Sequence, residues 1–211
     1  VVLTVRALIP RLLVATALLL GASSSAVAQS KEEILVAAMQ DGGKVIYMRH
    51  ATTDERQVDT GRLDDRAGQR NLTPAGIALA KEIGRAFRVL RIPANDILAS
   101  PVFRARDTAE LAFGADQVQV TLDIVADDYA GPALNRMLEA IPRLLRTSAG
   151  PGMNRIMVGH RTPLEMATKR RFPDDVLPEG AMAVFKPGED TLQLLGTITA
   201  ERFIHSADVR P

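Results

Sequence analysis

Two apolar runs in this chain end in histidine: Val45-Ile46-Tyr47-Met48-Arg49-His50 and Ile156-Met157-Val158-Gly159-His160. A third run, Asp96-Ile97-Leu98-Ala99, is followed by Ser100-Pro101-Val102-Phe103-Arg104-Ala105-Arg106-Asp107-Thr108-Ala109-Glu110. The chain holds only three histidines, and two of them sit where a buried strand would deliver a side chain to the edge of a sheet. In open α/β sheets that carboxyl edge is where ligands bind. A neutral imidazole, with an unperturbed pKa of about 6.5, is nucleophilic near physiological pH. Attack on phosphorus would make a phosphohistidine and divide one difficult transfer into two easier ones. A phosphoryl group in transfer needs positive charge and hydrogen-bond donors around its oxygens, and arginine offers both in a planar fork. Arg49 and Arg104 could form that clamp, with His160 as a further donor. A departing alkoxide needs a proton, for which Asp127 and Asp128 are the best-placed carboxyls.

The elements that must position these groups follow from the pattern of the chain. Lys31 to Gln40 reads as a short amphipathic helix closed by Asp41-Gly42-Gly43. Lys44 to Met48 reads as a buried strand. Residues 51–70 show no apolar period and form a long polar loop leaving His50; loops beyond about 12–15 residues tend to be functional. Thr73-Pro74 supplies an N-cap with proline in the first turn, and apolar residues continue at helical spacing to Leu90. A strand over Asp96–Ala99, a helix over Val102–Phe113 and a strand over Val118–Leu122 follow. Asp127 to Pro132 is acidic and turn-like. Leu134 to Leu145 has a helical stripe that Pro142 should kink or split. Arg155–Val158 reads as a strand and Pro163–Arg171 as a helix, with Lys169-Arg170-Arg171 on its solvated face. Ala181–Lys186 and Thr191–Ile198 flank Pro187-Gly188-Glu189-Asp190 as a β-hairpin. This alternation predicts an α/β three-layer sandwich with a mostly parallel central sheet, helices on both faces and a C-terminal β-hairpin.

Composition narrows the function. With 46% hydrophobic residues, the 211-residue chain can bury a sizeable core in one domain. A formal net charge of +1 offers no polyanion-binding surface, so nucleic acid is not an expected partner. The absence of cysteine removes disulfides, thiolate metal sites and thiol nucleophiles. No H-E-x-x-H or comparable ligand spacing appears, and neither a metal nor a cofactor is expected. Residues 1–28 have a basic start (Arg6, Arg11), an apolar stretch from Leu12 to Ala22, and Ala26-Val27-Ala28 before Gln29. These are the parts of a secretory signal peptide, and the stretch is short of the roughly 20 residues a membrane span needs. Cleavage after Ala28, export to the periplasm or medium, no stable membrane insertion thereafter and a functional domain over 29–211 are the expectations.

The three blocks together resemble a known family. Arg49-His50-Ala51-Thr52-Thr53 resembles the Arg-His-Gly motif of the histidine phosphatase superfamily, the fold of phosphoglycerate mutases and many acid phosphatases. Ser100-Pro101-x-x-Arg104-Ala105-x-x-Thr108-Ala109-Glu110 resembles its second block, and Val158-Gly159-His160 its third. The resemblance implies that His50 is the phosphorylated residue and that Arg49, Arg104 and His160 line the phosphate pocket. It puts Asp127, in Val125-Ala126-Asp127-Asp128-Tyr129-Ala130-Gly131, at the position of the family's acid. Thr53 could add a hydroxyl to the phosphate site. The expected activity is hydrolysis of a small phosphate monoester or a phosphohistidine. The alternatives are a non-catalytic phosphate binder of the same fold and a mutase-like phosphotransferase.

Overall fold

The computed structural model describes residues 29–188 and 192–209; the proposed signal segment, 1–28, lies outside the described residues. Thirteen helices and strands are used below. They are α1 (Lys31–Gln40), β1 (Val45–Arg49), α2 (Pro74–Val89), β2 (Asp96–Ala99), α3 (Phe103–Phe113), β3 (Val118–Val120), α4 (Asp127–Ala130), α5 (Leu134–Arg146), β4 (Arg155–Gly159), α6 (Arg161–Thr168), β5 (Met182–Lys186), β6 (Gln193–Ile198) and α7 (Ala200–Asp208). The strands form one six-stranded sheet in the order β3-β2-β4-β1-β5-β6. Pairing from β3 through β2 and β4 to β1 is parallel, whereas β1–β5 and β5–β6 are antiparallel. The sheet is therefore mixed, parallel in its first four strands, with the expected hairpin at the other edge.

Successive residues of a strand face opposite sides of the sheet, and the apolar runs fill both. On one side Ile46, Met48, Ile156 and Val158 pack with Met39, Ile83, Phe87 and Phe203. On the other, Tyr47, Leu98, Met157 and Phe185 pack with Met137, Ile141, Leu145 and Leu164. These central strands read as continuous apolar runs because both of their faces are covered.

Register places the chemistry. Arg49 is level with Gly159, and Ala99 is level with Val158. Parallel strands in this register end together, so His50, Ser100 and His160 leave one edge of three adjacent strands. Backbone bonds extend the alignment past the strands: His50 N–H donates to the Gly159 carbonyl at 3.0 Å and Ser100 N–H to the Val158 carbonyl at 3.0 Å.

Several local expectations need correction. Helix α5 is unbroken through Pro142; proline there removes the bond to the Leu138 carbonyl, but burial of Met137, Ile141 and Leu145 holds both halves to the sheet. Helix α6 begins directly after His160 and ends before Lys169, which adopts a left-handed conformation with φ of 53°. The Lys169-Arg170-Arg171 run therefore lies beyond the helix, not on its face. The acidic turn is one helical turn, α4. Helix α7, absent from the sequence reading, starts at the Thr199 cap, whose side chain accepts from the Arg202 N–H, and buries Phe203 and Ala207. His205, the third histidine, is exposed on it.

Candidate active site

The carboxyl edge of β2, β4 and β1 opens into a polar cavity of about 240 Å³. Arg49, His50, Arg104, Asp127, Asp128 and His160, six of the seven residues singled out in the sequence, line it. A larger cavity of about 980 Å³ between α1 and α7 holds none of them. The rings of His50 and His160 are neighbours, with centroids 5.4 Å apart and planes tilted by 55°.

His50 is buried, and its Nδ1 lies 2.9 Å from the Ala51 carbonyl. A carbonyl only accepts, so this bond requires the proton on Nδ1 and leaves the Nε2 lone pair available. Burial, followed by the Arg104 charge, holds the imidazole well below its ordinary pKa and keeps it neutral. The loop that carries it is pinned from α3. Ala51 N–H donates to Thr108 Oγ1 at 2.9 Å, and that hydroxyl donates to the Arg104 carbonyl at 2.7 Å. Thr108 thus couples the backbone next to His50 to the residue bearing the guanidinium.

His160 is positioned by two different contacts. Its Nε2 is 2.9 Å from Ser100 Oγ. The buried Tyr47 hydroxyl donates to the His160 carbonyl at 2.9 Å and accepts from the His160 N–H at 3.1 Å. Gly159 is required by this approach: a Cβ there would stand 2.4 Å from the Tyr47 hydroxyl oxygen. His160 Nδ1 is buried with no hydrogen-bond partner. In the tautomer whose Nε2 accepts from the serine hydroxyl, Nδ1 carries the proton and is an unsatisfied donor in a cavity-lining side chain. Burial first, then the charge of Arg104, keeps this histidine neutral as well. The first turn of α6, through Arg161 and Thr162, adds the positive end of a helix to the same wall.

The arginines are held by carboxylates that the sequence reading missed. Arg104 Nη1 donates to both oxygens of Asp59, at 3.0 and 3.1 Å. Asp59 also accepts from the Tyr129 hydroxyl at 2.6 Å and the Arg70 N–H at 2.9 Å. Burial opposes charge on Asp59, but these bonds and the Arg104 charge outweigh it and hold the carboxyl below its usual range. Arg49 Nη1 donates to Asp174 at 2.7 Å and to the Leu177 carbonyl at 3.0 Å. The long polar loop was the signal for Asp59 and Arg70, since it leaves directly from His50. Nothing in the sequence marked Asp174 or Glu179.

Asp127 and Asp128 both line the cavity from the start of α4. Asp127 lies deeper, and its charge reaches the Tyr47 hydroxyl behind His160. Asp128 keeps an exposed edge; partial burial, with Asp127 and Asp59 nearby, pushes its carboxyl up against the opposing pull of Arg104. Thr53 is the residue the structure does not bring to the cavity. Its hydroxyl donates to Glu179 at 2.8 Å and accepts from Arg70, and its backbone bridges to Leu72. Arg56 pairs with Asp54 on the surface, Arg106 with Glu110, and Arg161 with Asp174. Among the described residues, no group of three acidic, histidine or cysteine side chains could hold a metal ion.

Comparison with known proteins agrees with this arrangement. Residues 45–127 match the histidine phosphatase superfamily (branch 1), a span containing the first two motif blocks and ending on Asp127. Solved structures share the fold. One is described as phosphohistidine phosphatase SixA from Agrobacterium tumefaciens, 20% identical, covering 74% of this chain and 98% of its own, with a TM-score of 0.50. A second, protein histidine phosphatase SixA complexed with tungstate, is 14% identical over 74% of this chain and 97% of its own, with a TM-score of 0.51. A mycobacterial glucosyl-3-phosphoglycerate phosphatase with inorganic phosphate is 14% identical over 76% and 99%, with a TM-score of 0.50. No curated protein matches the chain in sequence. The first two motif blocks thus fall within a match to the histidine phosphatase superfamily, and the fold is shared with the solved structures named above.

Proposed function

We propose that this protein is a phosphatase that cleaves a phosphate monoester or a phosphohistidine through a covalent intermediate on His50. The observation that carries the reading is the pairing of a neutral His50, its Nδ1 proton committed to Ala51, with His160, whose Nδ1 has no partner, in one small cavity. In the first step the Nε2 lone pair forms a bond to phosphorus as the bond to the leaving oxygen breaks. Arg49, Arg104 and His160 hold the phosphoryl oxygens, whose charge is stabilised most strongly by donors fixed beforehand. Asp127 gives its proton to the leaving oxygen. Water then attacks phosphorus, the electron pair returns to Nε2, and the same carboxylate takes the water's proton. Asp128 is the competing proton donor, favoured by its raised pKa.

A cavity of about 240 Å³ is smaller than the roughly 300–1,000 Å³ typical of sites enclosing drug-sized ligands. It therefore takes the phosphoryl group and its immediate attachment, leaving the remainder of a larger substrate outside. The signal-like segment at residues 1–28 supports export and a substrate found outside the cytoplasm. No described helix is long and apolar enough to cross a membrane. The test is turnover of an activated aryl phosphate by the wild type and by His50→Ala. Loss of turnover by about 10³-fold or more supports covalent catalysis. Retained turnover refutes it, and a wild type that binds phosphate without turnover identifies a binding protein.

A further inference from the structure

Beneath the Nδ1 side of the His50 ring lies a carboxylate that this mechanism has not used. Glu179, in the segment between α6 and β5, is largely buried, with 18% of its side chain exposed. Its Oε1 lies 3.9 Å from His50 Nδ1, 3.5 Å from an Arg70 nitrogen and 4.0 Å from an Arg49 nitrogen. It is fixed in place from two further directions: Oε2 accepts the Thr53 backbone N–H at 3.1 Å, and Oε1 accepts the Thr53 hydroxyl at 2.8 Å. The segment carrying it is fastened to the nucleophile itself, because the next residue's N–H, that of Gly180, donates to the His50 carbonyl at 2.8 Å. Thr53, Arg70 and Gly180 therefore serve to seat this carboxylate, which accounts for a threonine hydroxyl that does not reach the phosphate cavity.

The position matters because of what phosphorylation does to the ring. Nε2 supplies an electron pair to phosphorus while Nδ1 keeps its proton, so the imidazole goes from neutral to cationic as the N–P bond forms. When water displaces it, the pair returns to Nε2 and the ring becomes neutral again. The formal charges that weigh most on His50, those of Arg104, Arg49 and Arg70, are positive and oppose that change. We infer that Glu179 is a positioning residue of the phosphoryl transfer, holding negative charge against the Nδ1 edge of His50 where the ring becomes cationic. The Ala51 carbonyl fixes the tautomer, and Glu179 supplies the counter-charge. This inference rests on the phosphohistidine reading and adds a residue to it.

An opposite charge within about 4–6 Å typically shifts a pKa by about 1–3 units. Arg49 and Arg70 share this carboxylate, so the lower end applies. Glu179→Gln retains the shape and an acceptor for Thr53 but removes the charge. The expected result is a fall of about tenfold or more in the rate of phosphoenzyme formation, measured by rapid alkaline quench, with KM changed less than kcat. Glu179→Asp should recover part of the rate. The inference is overturned if Glu179→Gln phosphorylates at the wild-type rate, or if Glu179→Asp is no better than Glu179→Gln. A measurement on the wild type guards against a variant that fails to fold. With ¹⁵N-histidine label and bound vanadate, the His50 Nδ1 proton should persist to higher pH than in a free N-substituted imidazole. Titration at or below that of the free compound overturns the inference. If instead His50→Ala is fully active, the phosphohistidine reading itself fails, which separates the two outcomes.

Discussion

Removing one oxygen atom behind His160 tests whether the geometry of the second histidine is imposed from the sheet. Tyr47 is fully buried, and its hydroxyl satisfies both the N–H and the carbonyl of His160. Tyr47→Phe leaves two buried backbone groups unpaired, each costing about 1–3 kcal/mol; access of water from the adjoining cavity favours a total of about 2–4 kcal/mol. For a domain of about 150–250 residues, 1 kcal/mol lowers Tm by about 2–4 °C, so a drop of about 5–15 °C is expected. Turnover should fall by about 10–100-fold, since displacing a phosphate ligand by about 1 Å costs a comparable factor. Gly159→Ala should be worse in the wild type, where the new Cβ meets the hydroxyl oxygen at 2.4 Å, than in a Tyr47→Phe background, where the nearest remaining atom is a ring carbon at 3.0 Å. Thermal and urea unfolding of the four proteins, with aryl phosphate kinetics on each, gives the coupling, expected at about 0.5–3 kcal/mol. A Tyr47→Phe protein within about 0.5 kcal/mol of the wild type and fully active, or strictly additive effects in the double variant, would refute the reasoning.

Further outcomes follow from the same geometry. Asp127→Asn should slow hydrolysis of esters with poor leaving groups by about 10²–10⁴-fold while sparing phosphohistidine, with Asp128→Asn close to wild type; the reverse ranking assigns the acid to Asp128. Both site histidines are held neutral well below their ordinary pKa, so the unfolded chain binds more protons than the folded one below about pH 6.5. Stability should accordingly be unaffected by these groups above that pH. It should decline as pH falls from 6.5 toward the folded values, by up to about 1.4 kcal/mol per pH unit for each histidine, and His160→Gln should flatten the slope seen in urea titrations. Turnover of the aryl phosphate should be unchanged by a strong chelator; loss that added divalent metal restores would contradict the proposed route.

The sequence made the carboxyl edge of the sheet legible because its signals are local. An apolar run followed by Arg-His, Ser-Pro-x-x-Arg or Gly-His states both a strand and what the strand delivers, and parallel register then brings the three ends together. The Thr73-Pro74 start of α2 and the Lys31–Gln40 helix were equally local, and both fall where expected. What escaped depended on distance along the chain. Asp59, Arg70 and Glu179 lie in segments without apolar period, and their partners are 126 positions away in the case of Thr53 and Glu179. Thr53 shows the same limit: adjacency to His50 in sequence suggests a phosphate ligand, whereas its hydroxyl bonds Glu179, 126 positions away. Pro142 does not split α5, whose buried Met137, Ile141 and Leu145 lie on both sides of it.

The central idea stands or falls on where phosphorus goes. Acid-sparing quench of the wild type during turnover of a ³²P-labelled substrate, followed by proteolysis and mass spectrometry of the labelled peptide, reads this directly. The expected product is an acid-labile, base-stable phosphoramidate on Nε2 of His50, absent from His50→Ala. Label on another residue, or rapid turnover with no covalent label under conditions that capture a control phosphohistidine, would contradict it.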